Sequence, residues 1–417
     1  MPTPPTELPD VPELPEVTAL IAASVAACET ELTDLRRDLH AHPELAWSEY
    51  RTTDLVAERL EKAGWQVGRL PSTGLVADLG DSGPRVALRG DLDALPVEDE
   101  TADPWRSTVP GAAHACGHDV HTTALLGAGI ALADLHREGR LAGRVRLLAQ
   151  PAEEVMPGGA LHLMGLGALE EVERIFSLHC DPGVDVGRIG LRAGPLTSAA
   201  DMVRIGLTGD GGHTSRPHLT GDLVFALAKV ATELPAVLSR RLDPRAGVSL
   251  VWGAVTAGKA PNVIPRSGHV AGTVRILDSA AWNECEAVVR EAAAELVAPY
   301  GLTVTVEYQR GVPPVVNDEV SHRILTDVVR TTLGAPGLAT AGQSLGGEDF
   351  GWYLEQVPGA MMRLGVRTPG GPTYDLHQGD LRIDERAVAI GARVLAGAAA
   401  AACGAGTGEP GAAGAHR

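Results

Sequence analysis

Aromatic side chains are scarce in this 417-residue chain, at 3 % of its residues. Its core must therefore rest on Leu, Val, Ile and Ala. At 44 % apolar residues there are enough of these to bury a large one. Cysteine is scarce too. Cys28, Cys116, Cys180, Cys285 and Cys403 make an odd number with no CxxC pair. That pattern argues against a disulfide framework and against a four-cysteine zinc site. Basic residues are outnumbered, 35 against 53 acidic ones, for a formal charge of -18. Such a surface repels phosphate backbones, so no nucleic-acid partner is expected. No uninterrupted apolar run reaches the roughly 20 residues of a membrane helix, so no membrane partner is expected either. Residues 1–16 are Pro-rich and acidic, without the basic start and apolar stretch of a signal peptide. A reducing cytoplasm is the expected compartment.

The length suggests two domains. Apolar residues at helical spacing predict helices over Val17–Leu39 and over Ser48–Gly64, with Ser48 as N-cap and Gly64 as stop. Strands and helices then alternate: Arg85–Arg89, helix His118–Leu135, Val145–Ala149 and Arg174–Leu178. This alternation predicts an α/β fold whose ligands sit where strands end in loops. After Pro195 the order changes. Strand Met202–Leu207, helix Leu223–Arg241, strands Ser249–Val255 and Val270–Ile276, helix Ala281–Tyr300 and strand Thr303–Tyr308 read as a split β-α-β-β-α-β sandwich. A helix at Val320–Leu333, a strand at Met361–Val366 and a helix at Glu385–Ala399 return to the first domain. The expected division is 15–197 with 312–403 as one discontinuous domain, 198–311 as an insertion, and 1–14 and 404–417 as flexible tails.

Four segments could carry chemistry. In His114-Ala-Cys116-Gly-His118-Asp119-Val-His121, Cys and His are good ligands for zinc-like ions. An extended backbone would point Cys116 and His118 the same way. A His-rich helix start with one buried Cys would read the same. Gln150-Pro-Ala-Glu153-Glu154 places two carboxylates just past a strand, where one can bind metal and the other face a water. A solvated acidic turn is the alternative. Ser177-Leu-His179-Cys180 ends a β run, so if His179 is a ligand, Cys180 faces the core. Asp375-Leu-His377 follows a Gly/Pro loop. Asp91, after a strand and Gly90, reads as a group that orients a ligand imidazole. His114, His121 and His218 read as structural or supporting groups.

Together with Arg89-Gly-Asp91-Leu-Asp93-Ala-Leu-Pro96, Gly211-Gly-His213, Asn262-Val-Ile-Pro265, Gly272-Thr-Val-Arg275 and Gly347-Glu-Asp-Phe350, these segments resemble the M20 family of metallopeptidases. The similarity is to its amidohydrolase branch, which includes hippurate hydrolases, auxin-conjugate hydrolases and N-acetyl-diaminopimelate deacetylases. It covers roughly residues 30–400. The resemblance implies a catalytic α/β domain with a central mixed sheet and an inserted α/β sandwich lid that dimerises. It implies Cys116, His118, Glu154, His179 and His377 as ligands to two divalent ions, Mn2+ or Zn2+, with Co2+ or Ni2+ also compatible. It implies Glu153 as general base, His213 as an oxyanion-stabilising group from the lid, Asn262 near it, and Arg275 as a clamp for the substrate's carboxylate. Two features depart from the family's pattern. Asp210 adds a negative charge beside Gly211-Gly-His213, and Gln378-Gly-Asp follows His377. The implied reaction is metal-dependent cleavage of N-acyl amino acids. The alternatives are a dipeptidase or carboxypeptidase on the same scaffold, a silent metal- or ligand-binding protein, and a Cys–His nucleophilic hydrolase.

Overall fold

The computed structural model describes residues 13–404. The tails expected at 1–14 and 404–417 lie almost wholly outside the described residues; Leu14 already opens the first helix and Gly404 closes the last. The chain divides into two compact units. One comprises the residues up to Ala193, Asn317–Gly342 and those from Tyr353 onward. The other comprises Gly194–Val316 and Gln343–Trp352, wider than the 198–311 read from sequence.

The first unit opens with helices α1 (Leu14–Ala41) and α2 (Tyr50–Ala63). Ser48 is not the N-cap of α2. Glu49 takes that position and makes no capping bond there, because its carboxylate is used elsewhere. Gly64 ends α2 at φ 98°, a left-handed conformation that glycine adopts without strain. There follow β1 (Gln66–Arg69), β2 (Leu75–Leu79), β3 (Arg85–Asp91), α3 (His118–Arg137), β4 (Arg144–Gln150), α4 (Gly159–Gly165), β5 (Val172–Asp185) and β6 (Ile189–Leu191). After the second unit come helix Glu319–Leu333, strand Leu338–Thr340, strand Gly359–Arg367 and the last helix, Arg386–Gly404. The strands form one mixed sheet in the order β1-β2-β4-β3-β5, then Gly359–Arg367, β6 and Leu338–Thr340. β4, β3, β5 and Gly359–Arg367 run parallel, so their C-terminal ends share one edge. Loops beyond that edge are where such sheets place ligands.

One sheet face is covered by α1, α3 and the last helix, whose Val388, Ala392, Leu395 and Ala399 are fully buried. The scarcity of aromatics fits this packing. A Cβ on Gly127 of α3 would lie 2.8 Å from Ala392 Cβ and 2.8 Å from Leu32 Cδ1, so the helices meet through small residues. Each fully buried Leu in this layer contributes roughly 1.5–3 kcal/mol. The last helix is long and apolar enough to cross a membrane, and 67 % of its most apolar window is buried in the protein. Its hydropathy is that of a core helix.

In the second unit a four-stranded antiparallel sheet has the order Ser249–Ala257, Ser267–Ile276, Ala199–Thr208 and Thr303–Val312. Helices Leu223–Arg241 and Ser279–Val297 pack on it, the β-α-β-β-α-β order read from the sequence. Asp222 and Asp278 cap these helices by accepting from the backbone N–H groups of Phe225 and Ala281.

Candidate metal centre

The segment His114–His118 is a turn that leads into α3, neither extended nor helical up to Gly117. Gly117 sits at the N-cap of α3 with φ 84°, and this left-handed residue brings Cys116 and His118 together across it. A Cβ there would also lie 2.9 Å from Cys180 Sγ and 3.0 Å from Ile383 Cδ1, so glycine is required twice over. The start of α3 is anchored to α1. Asp119 forms an ion pair with Arg36 at 2.8 Å and lies 2.8 Å from His40 Nδ1, all buried. Arg36 and His40 hold the Asp119 carboxyl well below the usual range against the opposing effect of burial. His114 is buried without a hydrogen-bond partner for either ring nitrogen, and burial lowers its pKa to about 4.

The loop after β4 carries Glu153 and Glu154. Asp93 shapes it: one carboxylate oxygen accepts from the Glu153 N–H and the other from the Glu154 N–H, both at 3.0 Å. The first oxygen also lies 3.5 Å from His118 Nδ1. Glu49, fully buried, accepts from the Ala152 N–H at 2.8 Å and from the Thr73 hydroxyl at 2.6 Å. Ala152 takes φ 54°, and this pinned left-handed residue turns the two glutamates toward His118.

His179 is not at a strand end. β5 continues six residues beyond it, to Asp185, whose carboxylate pairs with Arg367. The alternation expected around it holds: Cys180 lies in the core and His179 projects from the opposite face. The His179 Nδ1 bonds the Cys180 carbonyl at 2.8 Å, which turns Nε2 toward Cys116 Sγ, 3.5 Å away. Asp91 was expected to orient a ligand imidazole. It lies 3.9 Å from His118 Nδ1 and also hydrogen-bonds His121 at 2.6 Å. The His121 Nε2 accepts from the Cys180 N–H at 2.8 Å, so its proton is on Nδ1, facing Asp91. With both nitrogens used, His121 is a strut between β3 and β5. His377, at φ 63°, is held by its own N–H donating to the Ala115 carbonyl at 2.8 Å.

These elements bring together side chains scattered over the sequence. The donor atoms of Cys116, His118 and His179 lie within 4.8 Å of one another, and so do those of Cys116, Glu154 and His377. Glu154 Oε1 is 3.7 Å from His118 Nε2 and 3.4 Å from His377 Nε2. Glu153 lies within the same distance of His118 and Glu154.

The donor set fits a pair of borderline-soft cations: one thiol, three imidazoles and a carboxylate. Among the described residues both ring nitrogens of His118 and Glu154 Oε1 are buried without a hydrogen bond, the condition that a metal relieves. Burial opposes charge on His118, yet Asp91, Asp93 and Cys116 outweigh it and hold its pKa well above the usual value. His179 goes the other way. Burial, Arg363 and His121 push its pKa well down and leave a neutral imidazole. Burial raises the Cys116 thiol, as do Glu154 and Glu153. Without a cation beside it this is a poor thiolate nucleophile.

Asp93 lies in the Arg89–Pro96 motif and holds the glutamate loop by its backbone. If it aligns the glutamate loop with His118, Asp93→Asn keeps the fold and weakens metal binding about 10–100-fold. Competition against a fluorescent chelator reads this directly, alongside the melting temperature. Unchanged affinity would contradict it.

His213, Asn262 and Arg275 belong to the second unit. His213 and Asn262 are exposed on a two-stranded ribbon, Gly212–His213 against Val263–Ile264, where the Thr214 N–H donates to the Asn262 carbonyl. The His213 Nδ1 accepts from the Ser215 N–H at 3.1 Å, so a neutral His213 carries its proton on Nε2. Arg275 is half-buried on strand Ser267–Ile276, paired with Ser249 and Ala200. Asp210 is exposed, and its backbone carbonyl accepts from Arg266. His218 lies in an exposed 3-10 turn.

Residues 87–401 match the model of peptidase family M20/M25/M40. The chain is 36 % identical over 371 residues to the N-acetyl-L-cysteine deacetylase of Bacillus subtilis, covering 88 % of this chain and 86 % of that one. It is 48 % identical over 369 residues to a Rhodococcus jostii protein described as a glutamate–cysteine ligase. That match covers 88 % of this chain but only 46 % of the longer protein. Among solved structures, the Bacillus subtilis YXEP protein, described as a dinuclear metal binding peptidase, is 31 % identical with a TM-score of 0.77. The match covers 90 % of this chain and 98 % of that one.

Proposed function

The chain belongs to peptidase family M20/M25/M40, and from that membership we propose that it cleaves the amide bond of N-acylated amino acids, releasing a carboxylic acid and a free amino acid. It is a metal-dependent hydrolase of amides. The observation that carries the hydrolase reading is the meeting of Cys116, His118, Glu154, His179 and His377, with Glu153 beside them, and the likeness to an N-acetyl-L-cysteine deacetylase supports the substrate class. In this proposal those residues hold two divalent ions, Mn2+ or Zn2+. When bound, the ions polarise the scissile carbonyl and acidify the attacking water. The Glu153 carboxylate takes the water's proton and returns it to the departing amine nitrogen. Arg275 grips the substrate's carboxylate with its two-pronged guanidinium. The Nε2–H of His213 donates to the developing oxyanion, with Asn262 alongside. The first unit is the catalytic domain of this reading and the second its lid.

The reading includes a homodimer, with His213 supplied by the lid of the partner. Its support comes from the second unit alone. His213 follows the strand end at Thr208, opposite Ser267, whereas Arg275 pairs with Ala200 at the other end. Eight residues of strand span roughly 27 Å, a separation that favours the two serving a small substrate from different copies. Among the described residues strand Ser249–Ala257 is an unpaired sheet edge with Val251 and Val255 exposed, a surface suited to a second copy.

Hydrolysis of N-acetyl and N-benzoyl amino acids, compared with dipeptides, tests the substrate class. Turnover of dipeptides alone would reject it. His213→Ala lowers kcat by about 10²–10³-fold with little change in melting temperature. Mixed with a Glu153→Gln protein, it regains about a quarter of wild-type activity when the copies exchange freely. A change confined to KM would remove the oxyanion role, and no regain on mixing would remove the dimeric site.

A further inference from the structure

Buried arginines in the first unit are paired. Arg36 meets Asp119, Arg89 meets Asp91 and Arg146 meets Asp78. Arg363 is the exception. It is 9 % exposed, and among the described residues no carboxylate lies within 4.0 Å of its guanidinium and no hydrogen bond engages it. Its stem is buried while its nitrogens are reached by solvent, so an anionic ligand can take the place of water at the guanidinium.

Its position gives it a use. Arg363 lies on strand Gly359–Arg367, in register with His179 of the parallel β5. Register partners on parallel strands project from the same face. Met362, Leu364, Leu178 and Cys180 enter the helix-covered core, so Arg363 and His179 share the opposite face. On its other side Arg363 pairs with Gly190. A Cβ on Gly190 would come within 3.1 Å of Arg363 Cβ and 3.4 Å of Ala341 Cβ, so the glycine leaves space beside the arginine.

We propose that Arg363 binds a carboxylate of the substrate beside the metal centre and so selects the substrate by charge. This rests on the amidohydrolase reading for its context. The carboxylate has several sources: the amino acid's α-carboxylate, a carboxylate on its side chain, or one on the acyl group. Arg363 pairs with it in two-pronged geometry.

The test is equilibrium binding to metal-loaded Glu153→Gln protein, with and without Arg363→Met. The probes are N-acetyl-methionine, N-acetyl-glutamate, N-succinyl-methionine and the uncharged N-acetyl-methioninamide. Loss of the arginine should weaken the carboxylate probes about 10–100-fold and leave the amide unchanged. An equal loss on all three acids marks the α-carboxylate and would take that role from Arg275. A loss on the glutamate or the succinyl probe alone marks the side chain or the acyl group. Arg363→Lys should recover part of the affinity. Removing an unpaired charge that solvent reaches should leave the melting temperature little changed. No effect on any acid, or an equal effect on the amide, would overturn the proposal. If wild-type protein hydrolyses none of the probes while the binding contrast survives, the amidohydrolase reading falls and the Arg363 contact stands.

Discussion

Glu153→Gln should bind the same amount of metal as the wild type and lose about 10²–10⁴-fold in kcat, or roughly 3–5 kcal/mol of transition-state stabilisation. The amide has the shape of the carboxylate but cannot accept a proton. The loop stays in place because Asp93 holds it through backbone N–H groups that the substitution leaves alone. Metal should stay because Glu154, with its buried Oε1 between His118 and His377, remains. Glu153 is itself close enough to His118 and Glu154 to be a ligand. A fall in metal content would therefore move it from base to ligand, and near-normal kcat would remove it from the chemistry.

Cys116→Ala should cost more than any other single ligand substitution. Cys116 is the one residue shared by the group with His118 and His179 and the group with Glu154 and His377. Its loss removes a donor from both sets. The expected result is at most one tightly held ion per chain and a fall in kcat/KM of about 10³-fold or more. The thiol is 4 % exposed in a closely packed turn, so the cavity left is small and the fold should persist. Full metal content in this variant would exclude the thiol from the centre. Activity that survived EDTA in wild-type protein would favour a thiol nucleophile.

The sequence made some of this legible and hid the rest for physical reasons. Glu153 and Glu154 are adjacent, and Cys116 and His118 are separated by one glycine, so local chemistry was enough to notice them. Their meeting with His179 and His377 was carried by resemblance alone, because distance along the chain says nothing about the order of strands in a sheet. Pro182 and Gly183 look like a strand stop, yet β5 runs through them because the neighbouring strand Gly359–Arg367 pairs with it as far as Asp185. Ser48 looked like a helix cap, while the neighbouring Glu49 was bound to a loop a hundred residues away. Asp93 was hidden because its partners are backbone N–H groups, which leave no mark in a sequence. Arg363 was hidden because one arginine in an apolar strand has meaning only once its register with His179 is known. The split β-α-β-β-α-β order was legible because its helices and strands keep their own periods throughout.

The most direct test is the metal-to-protein ratio of wild-type protein, loaded with Mn2+ or Zn2+, dialysed to remove loose ions and measured by elemental analysis. Two ions per chain is the expected value, with amide hydrolysis lost on chelation and restored on reloading. A ratio near zero with hydrolysis intact would contradict the claim that these side chains form a catalytic dinuclear centre.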